Sequence, residues 1–200
     1  RPDISDEQFH QHWSTTHADH AKRITTLQRY VQSHRIDPGV ADLEDSIYEG
    51  VAEVWFVDLA TAAGMGEDPN YVDYAQADEP NFIDLPNLAF LLTDEHVVAA
   101  GPAVAADAPE TKAILLLRAS GEDGPARLRE RLDPLADGLA RALPGVRRVT
   151  WAASVDEDEC GAPFAGIFGC RFDSDGVDTR CGLVHVDSKI DDIMIITAAK

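Results

Sequence analysis

Residues 5–24 show the clearest hydrophobic pattern in the chain. In SDEQFHQHWSTTHADHAKRI, apolar and aromatic side chains recur at helical spacing and form one stripe. Ser5 followed by Gln8 has the form of a capping box, and Asp6 and Glu7 suit the positive end of a helix dipole. The pattern predicts a single amphipathic helix with His10 at the edge of the stripe and His12 off it. The stripe consists of Phe9, Trp13, His17, His20 and Ile24.

Seven later segments have the alternation or the continuous apolar character of β-strands. We place these strands at residues 27–36, 48–57, 88–94, 112–119, 146–154, 164–172 and 191–199. Between the fourth and fifth strands a leucine stripe predicts a helix that begins near Pro125 and is kinked or restarted at Pro134. That stripe consists of Leu128, Leu132, Leu135, Leu139 and Leu143.

The order of these elements predicts an internal repeat. The second half contains strand, helix, strand, strand, a weak segment and a strand, which is the ferredoxin-like βαββαβ order. The first half has the same order without its leading strand, so we expect a strand to precede Arg1 in the native chain. We therefore predict an α+β fold of two tandem ferredoxin-like repeats, at residues 1–100 and 110–200, with a linker at 101–109. Aligning the repeats places Ala136 and Leu139 opposite His17 and His20, so polar chemistry is expected in the first repeat and mainly packing in the second.

Composition narrows the functional classes. The formal net charge is −19, which disfavours binding to nucleic acids and is most simply explained by solubility. Residues 1–100 carry 19 acidic and 5 basic side chains, against 17 and 12 in residues 101–200. No apolar run approaches the roughly 18 residues needed to cross a bilayer. Three cysteines without CxxC spacing suggest neither a disulfide framework nor a zinc site, and they fit a cytoplasmic location.

Four segments of the first half resemble the EthD domain family: FHQHWSTTHA at 9–18, YEGVAEVWFVDL at 48–59, ADEPNFID at 77–84 and LTDEHVV at 92–98. Residues 110–200 look like the same superfamily without these signatures. The resemblance implies a dimeric α/β barrel around a small-molecule cavity, which the two repeats would form within one chain. It also implies a superfamily of cyclases, dehydratases, isomerases, cofactor-free monooxygenases and haem enzymes. The EthD name comes from ether degradation.

The resemblance selects His17, the histidine of the W-x-x-x-H pattern, as the principal acid or base. A buried imidazole titrates near neutral pH and can exchange a proton with an enolisable substrate; the alternative is a hydrogen-bonded core histidine. Glu53 is expected either to assist as a second acid or base or to pair with Arg29 or Arg35. Asp78 and Glu79 belong to a family motif, although acids at a helix end are commonly exposed. The expected lining of the substrate cavity consists of Trp13, Tyr30, His34, Trp55 and Phe82, with a solvated edge strand as the alternative for Tyr30 and His34.

Other chemistries have weaker support. His17 and His20 with His10 nearby make a poor metal site because no carboxylate is fixed beside them, so we predict no metal. Nothing marks a haem site, and GxGxxG, P-loop and GxSxG motifs are missing from the sequence, so we predict no cofactor.

These observations predict a cofactor-independent enzyme of the lyase, cyclase or dehydratase type that moves a proton on a hydrophobic or aromatic molecule. One alternative is an oxidoreductase, or an accessory protein, in xenobiotic degradation. Another is a non-catalytic binding or stress-associated protein. A homodimer is compatible with exposed sheet edges. The sequence does not specify the substrate or the reaction within the superfamily.

Overall fold

The capping box predicted at Ser5 begins the first helix of the computed structural model, which describes residues 1–36, 48–101, 110–117, 124–143, 145–155, 166–173 and 193–199. The Ser5 hydroxyl accepts from the Gln8 amide at 3.2 Å, and the Gln8 side chain accepts from the Ser5 amide at 2.9 Å. Helix α1 spans Asp6–His12, a π-helical turn spans Trp13–His17, and helix α2 spans Ala18–Ala21. The predicted helix is therefore confirmed, with one wider turn inserted at its centre.

The chain divides into two compact units, Arg1–Ser33 with Val51–Ala89, and His34–Gly50 with Phe90–Lys200. Unit 1 contains the N-terminal helices, most of strand β1 (Arg29–Arg35) and nearly all of β2 (Gly50–Trp55). Helix α3 (Leu59–Ala63) and a second π-helical turn (Tyr71–Gln76) follow. Short 3-10 turns lie at Gly64–Glu67, Glu79–Asn81 and Leu85–Asn87. Ile24, Tyr71 and Ala75 form one buried cluster of this unit.

Unit 2 is an antiparallel sheet covered on one face by a helix. Its elements are β3 (Thr93–Ala100), β4 (Glu110–Leu117), α4 (Gly124–Ala142), β5 (Val146–Ser154), β6 (Gly166–Asp173) and β7 (Ile193–Ala199). The strand order is β7-β4-β6-β5-β3, and the end of β1 joins β7 through His34 and Arg35. Strands β4 to β7 thus follow the order fourth, first, third, second, which is that of a ferredoxin-like unit. The α+β fold class is confirmed.

The predicted leucine stripe holds α4 against the sheet. Leu128, Leu132 and Leu139 pack with Val149 and with other buried residues of β4, β5 and β6. Pro134 does not restart the helix, since α4 runs unbroken through it. Leu132 and Ala136 on either side of Pro134 have no exposed surface, so their packing offsets the backbone hydrogen bond that proline cannot make. None of the helices in the described ranges has the length and apolar character to span a bilayer.

Two other expectations differ from the structure. The third strand begins at Thr93 instead of residue 88, because its partner β5 ends at Ser154, the residue opposite Thr93. The second repeat, which is expected mainly to supply packing, also buries the cations Lys112 and Arg171. Residues 102–109, most of the predicted linker, lie outside the described residues. The repeat boundaries and the intrachain barrel stay predictions.

Candidate active site

Asp78 is the centre of a buried polar cluster in unit 1. Its Oδ2 lies 3.1 Å from Nδ1 of His17, and its Oδ1 and Oδ2 lie 2.9 and 3.0 Å from Nε2 of His12. The side-chain amide of Asn81 donates to Oδ1 at 3.0 Å. Asp78 is only 6% exposed and His17 8%. One buried carboxylate therefore accepts hydrogen bonds from two imidazoles and an amide, and of these three groups His17 is the buried one.

The backbone around these residues explains how they meet. His12 is the last residue of α1, and His17 is the last residue of the π-helical turn. In a π-helical turn the hydrogen bonds join residues five apart. Side chains five positions apart therefore lie on nearly the same face of the helix, which they do not in an α-helix. Asp78 directly precedes the 3-10 turn Glu79–Asn81, which Pro80 stiffens at its start. That turn places the Asn81 amide back over the Asp78 carboxylate.

Phe82 forms the apolar floor of the cluster. Its ring centroid lies 4.9 Å from that of His12, 4.8 Å from that of His17 and 5.6 Å from that of Phe9. The ring is almost completely buried, at 1% exposure. Phe82 therefore orients both imidazoles by packing and strengthens their electrostatic contact with Asp78 by excluding water.

The protonation states follow from these contacts. Burial raises the pKa of Asp78, but the hydrogen bonds from Asn81, His12 and His17 outweigh burial and hold the pKa below its usual range. Burial lowers the pKa of His17, and the hydrogen bond and charge of Asp78 oppose this only in part. Asp78 is thus an acceptor at neutral pH, and His17 is a neutral imidazole that donates from Nδ1. The lone pair of His17 is then on Nε2, where a base needs it.

A second carboxylate lies one residue further along the chain. The Tyr71 hydroxyl donates to Oε1 of Glu79 at 2.9 Å. Burial, followed by the charge of Asp78, raises the pKa of Glu79, and burial with the Glu79 charge raises the pKa of Tyr71. His20 stacks on Tyr74, and its Nδ1 is buried without a hydrogen-bond partner in the described structure. Adjacent carboxylates thus differ in environment, with ionisation favoured at Asp78 and disfavoured at Glu79.

Several residues predicted from the sequence to line a cavity also lie in unit 1. The Gln32 side chain donates to the Trp13 carbonyl at 2.8 Å and to the Tyr30 hydroxyl at 2.7 Å. Burial raises the pKa of Tyr30, opposed by hydrogen bonds from Gln32 and Trp13. Tyr30 therefore keeps its proton at neutral pH and belongs to a network anchored on the π-helical turn.

The remaining predicted residues are placed differently. Glu53 accepts from the Ser33 hydroxyl at 3.4 Å, whereas the carboxylate bonded to His17 is that of Asp78. The Trp55 ring lies under the guanidinium of Arg29 at 4.6 Å. His34 belongs to unit 2, where it is paired with Ala199 of β7. Their roles stay predictions.

The sequence did not lead us to assign His12 or Asn81 to the site. Regular α-helical spacing separates His12 from the stripe and so predicts a surface residue, and the π-helical turn breaks that spacing. Asp78 belongs to the family motif noted above, and the alternative of an exposed acid at a helix end is wrong because Asp78 is buried. The available signal was the ADEPNFID segment itself, in which an aspartate precedes an asparagine by three residues and a phenylalanine by four.

The described part of the chain offers no geometric support for a metal site. Within it, no three His, Cys, Asp or Glu side chains are grouped so as to hold a metal ion. The distances of about 3 Å from Asp78 to His12 and His17 are those of hydrogen bonds. The arrangement is that of one carboxylate hydrogen-bonded to two histidines.

Comparison with known proteins gives one family match and one similar solved structure. Residues 1–86 match the EthD domain family, and this range includes every residue of the Asp78 cluster. No curated protein matches the chain. Among solved structures, the crystal structure of a "putative monooxygenase" from Lactobacillus acidophilus NCFM is similar, with a TM-score of 0.48 and 11% identity. That alignment covers 98% of this chain and 88% of the other chain.

Proposed function

We propose that this chain, whose residues 1–86 match the EthD domain family, is a cofactor-independent enzyme that transfers a proton on a small hydrophobic molecule. The observation that supports this function is the buried Asp78–His17 pair. A buried histidine held by a buried carboxylate is a common arrangement for a general base, because the carboxylate fixes the tautomer and stabilises the imidazolium that forms.

The proposed step begins with His17 Nε2 accepting a proton from a carbon or oxygen acid of the bound substrate. The electron pair stays on the substrate as an enolate or phenolate, and His17 becomes an imidazolium whose Nδ1–H remains bonded to Asp78. Return of the proton to a different carbon completes an isomerisation. If the enolate carbon first attacks a carbonyl of the same molecule, protonation of that carbonyl oxygen completes a cyclisation. If the enolate expels a hydroxyl group, the proton joins it and water leaves, which completes an elimination. In this proposal Asp78 is a positioning residue, and Glu53 remains a predicted assisting group.

Hydrogen–deuterium exchange tests the proposal without knowledge of the product. The protein is incubated in D2O with a panel of enolisable aromatic ketones and β-diketones, and loss of the acidic C–H signal is followed by proton NMR. Wild type should accelerate exchange of at least one compound, and His17→Gln should lower that acceleration by about 10²- to 10⁴-fold, the usual contribution of general acid–base catalysis. Exchange under argon should be equally fast, because proton transfer needs no oxygen.

His10→Gln is the matched control, since His10 lies on the same helix and forms no part of the Asp78 cluster. Circular dichroism should show the same fold for both variants. Equal exchange by wild type and His17→Gln would overturn the assignment of His17. Activity that requires oxygen would favour the oxidoreductase alternative. A ligand that raises the melting temperature without exchanging would favour a binding protein.

A further inference from the structure

Four basic residues lie in one line that runs across the strands of the unit 2 sheet. Arg35 lies opposite Ala198, Ala198 opposite Lys112, Lys112 opposite Arg171, and Arg171 opposite Arg148. Directly opposed residues of antiparallel strands point to the same face. All four cations therefore share the face that is turned away from α4, and we call them the cationic row.

The middle of the cationic row is buried. Lys112 is 7% exposed and Arg171 9%, while the side chains of Arg35 and Arg148 at the ends are each more than a quarter exposed. Neighbouring strands lie about 4.8 Å apart, so Lys112, Arg171 and Arg148 span only about 10 Å. Opposed like charges destabilise a sheet, and burying each charge adds a further cost. The row therefore needs negative charge close to it.

The acids near the row leave Arg148 incompletely satisfied. Glu49 binds Arg35 through two contacts, of 2.6 and 3.2 Å. Glu95 lies 3.7 Å from Arg148, which is longer than a hydrogen bond. In addition, Nε of Arg148 is buried and has no hydrogen-bond partner in the described structure. A buried donor without a partner is costly, so an acceptor that reached Arg148 Nε would stabilise this end of the row.

A glycine makes room for Lys112 within this face. A Cβ atom on Gly169 would lie 2.9 Å from Cε of Lys112 and 2.9 Å from Oγ1 of Thr150. The Lys112 side chain therefore passes over Gly169 towards the Thr150 hydroxyl.

We infer that Lys112, Arg171 and Arg148 of the cationic row, with the Thr150 hydroxyl, bind the carboxylate of a small organic acid. A carboxylate offers two coplanar oxygens that match the donor fork of a guanidinium and accept from an ammonium at the same time. Val97 of β3 lies opposite Thr150 on this face and is 47% exposed, so it suits the hydrocarbon part of such an acid, whereas Ile114 has no exposed surface. The ligand enters at the partly exposed end of the row, beside Arg148 and Glu95.

Isothermal titration calorimetry with sodium benzoate, acetate and inorganic phosphate tests this inference on the full chain. Benzoate should bind saturably and more tightly than acetate or phosphate. Lys112→Met removes the ammonium and keeps an unbranched apolar side chain, so benzoate affinity should fall about 10- to 100-fold, the range expected for losing a hydrogen bond to a charged group. Glu95→Gln should raise benzoate affinity, because Glu95 competes for Arg148.

Arg147→Gln is the matched control, because Arg147 is the neighbouring cation on β5 and is not one of the opposed residues that form the row. Its benzoate affinity should equal that of wild type. Absence of saturable benzoate binding, or equal weakening by Arg147→Gln and Lys112→Met, would overturn the inference. Phosphate binding tighter than benzoate binding would overturn the assignment to a carboxylate. Should Lys112→Met fail to fold, Glu95→Gln decides, since an unchanged or weaker affinity contradicts the proposed competition.

Discussion

Replacing Asp78 with alanine removes the common acceptor of three donors. His17 Nδ1, His12 Nε2 and the Asn81 amide all lose their partner at once. The His12 side chain is 29% exposed and can rotate towards water, whereas that of His17 is 11% exposed and cannot do so without disrupting the packing around Phe82. The unsatisfied His17 donor therefore carries most of the cost.

The magnitude follows from the energetics of buried donors. Leaving a buried polar group without a partner costs about 1–3 kcal/mol. With a smaller share from Asn81, we expect Asp78→Ala to lower the free energy of unfolding by about 2–4 kcal/mol. Urea denaturation followed by tryptophan fluorescence measures this loss. Asp73→Ala is the matched control, because Asp73 is an exposed acid on the neighbouring π-helical turn, and its effect should stay within about 0.5 kcal/mol.

The same substitution tests the electrostatic argument. Burial lowers the pKa of His17, and Asp78 partly reverses that effect. Without the carboxylate, the pKa of His17 should fall further, and Asp78→Asn should lower it in the same direction because the amide carries no charge. An NMR titration of the His17 ring protons measures the pKa in each variant. A His17 pKa that rises or stays constant would refute the proposed Asp78–His17 coupling.

Two further predictions concern stability. Unit 1 should lose stability as the pH falls below 6.5, the ordinary pKa of histidine. Burial lowers the pKa of His17, so the unfolded chain binds the proton more tightly than the folded chain does. A second loss should follow below 3.8, the ordinary pKa of aspartate, because the pKa of Asp78 is also lowered in the folded chain. Urea midpoints across this range measure both losses, and a midpoint that is constant between pH 7 and 5 would contradict the first. Gly169→Ala should cost about 1–3 kcal/mol through the contacts of its Cβ with Lys112 and Thr150. Gly138→Ala, in α4 with nothing within 4 Å of the new Cβ, should instead stabilise by about 0.5–1 kcal/mol, and equal effects of the two substitutions would refute the steric argument.

Local sequence signals predicted the local elements well. The capping box at Ser5, the leucine stripe of α4 and the exact bounds of β5 all follow from patterns within a few residues. The burial of Trp13 and His17 follows in the same way from the helical stripe. These features depend on hydrogen bonds and apolar contacts between near neighbours, which the order of residues specifies directly.

Local sequence signals could not identify the hydrogen-bond partner of His17. Asp78 lies 61 residues further along the chain, and only the folded unit brings its carboxylate to the imidazole. The π-helical turn changed the spacing that had excluded His12. The cationic row depends on the register of five strands, and a shift of one residue in any of them would send its side chain to the other face. The sequence by itself thus determined the helices, the strands and the candidate base, while the tertiary structure decided which charges meet, because those contacts depend on packing and register between distant segments.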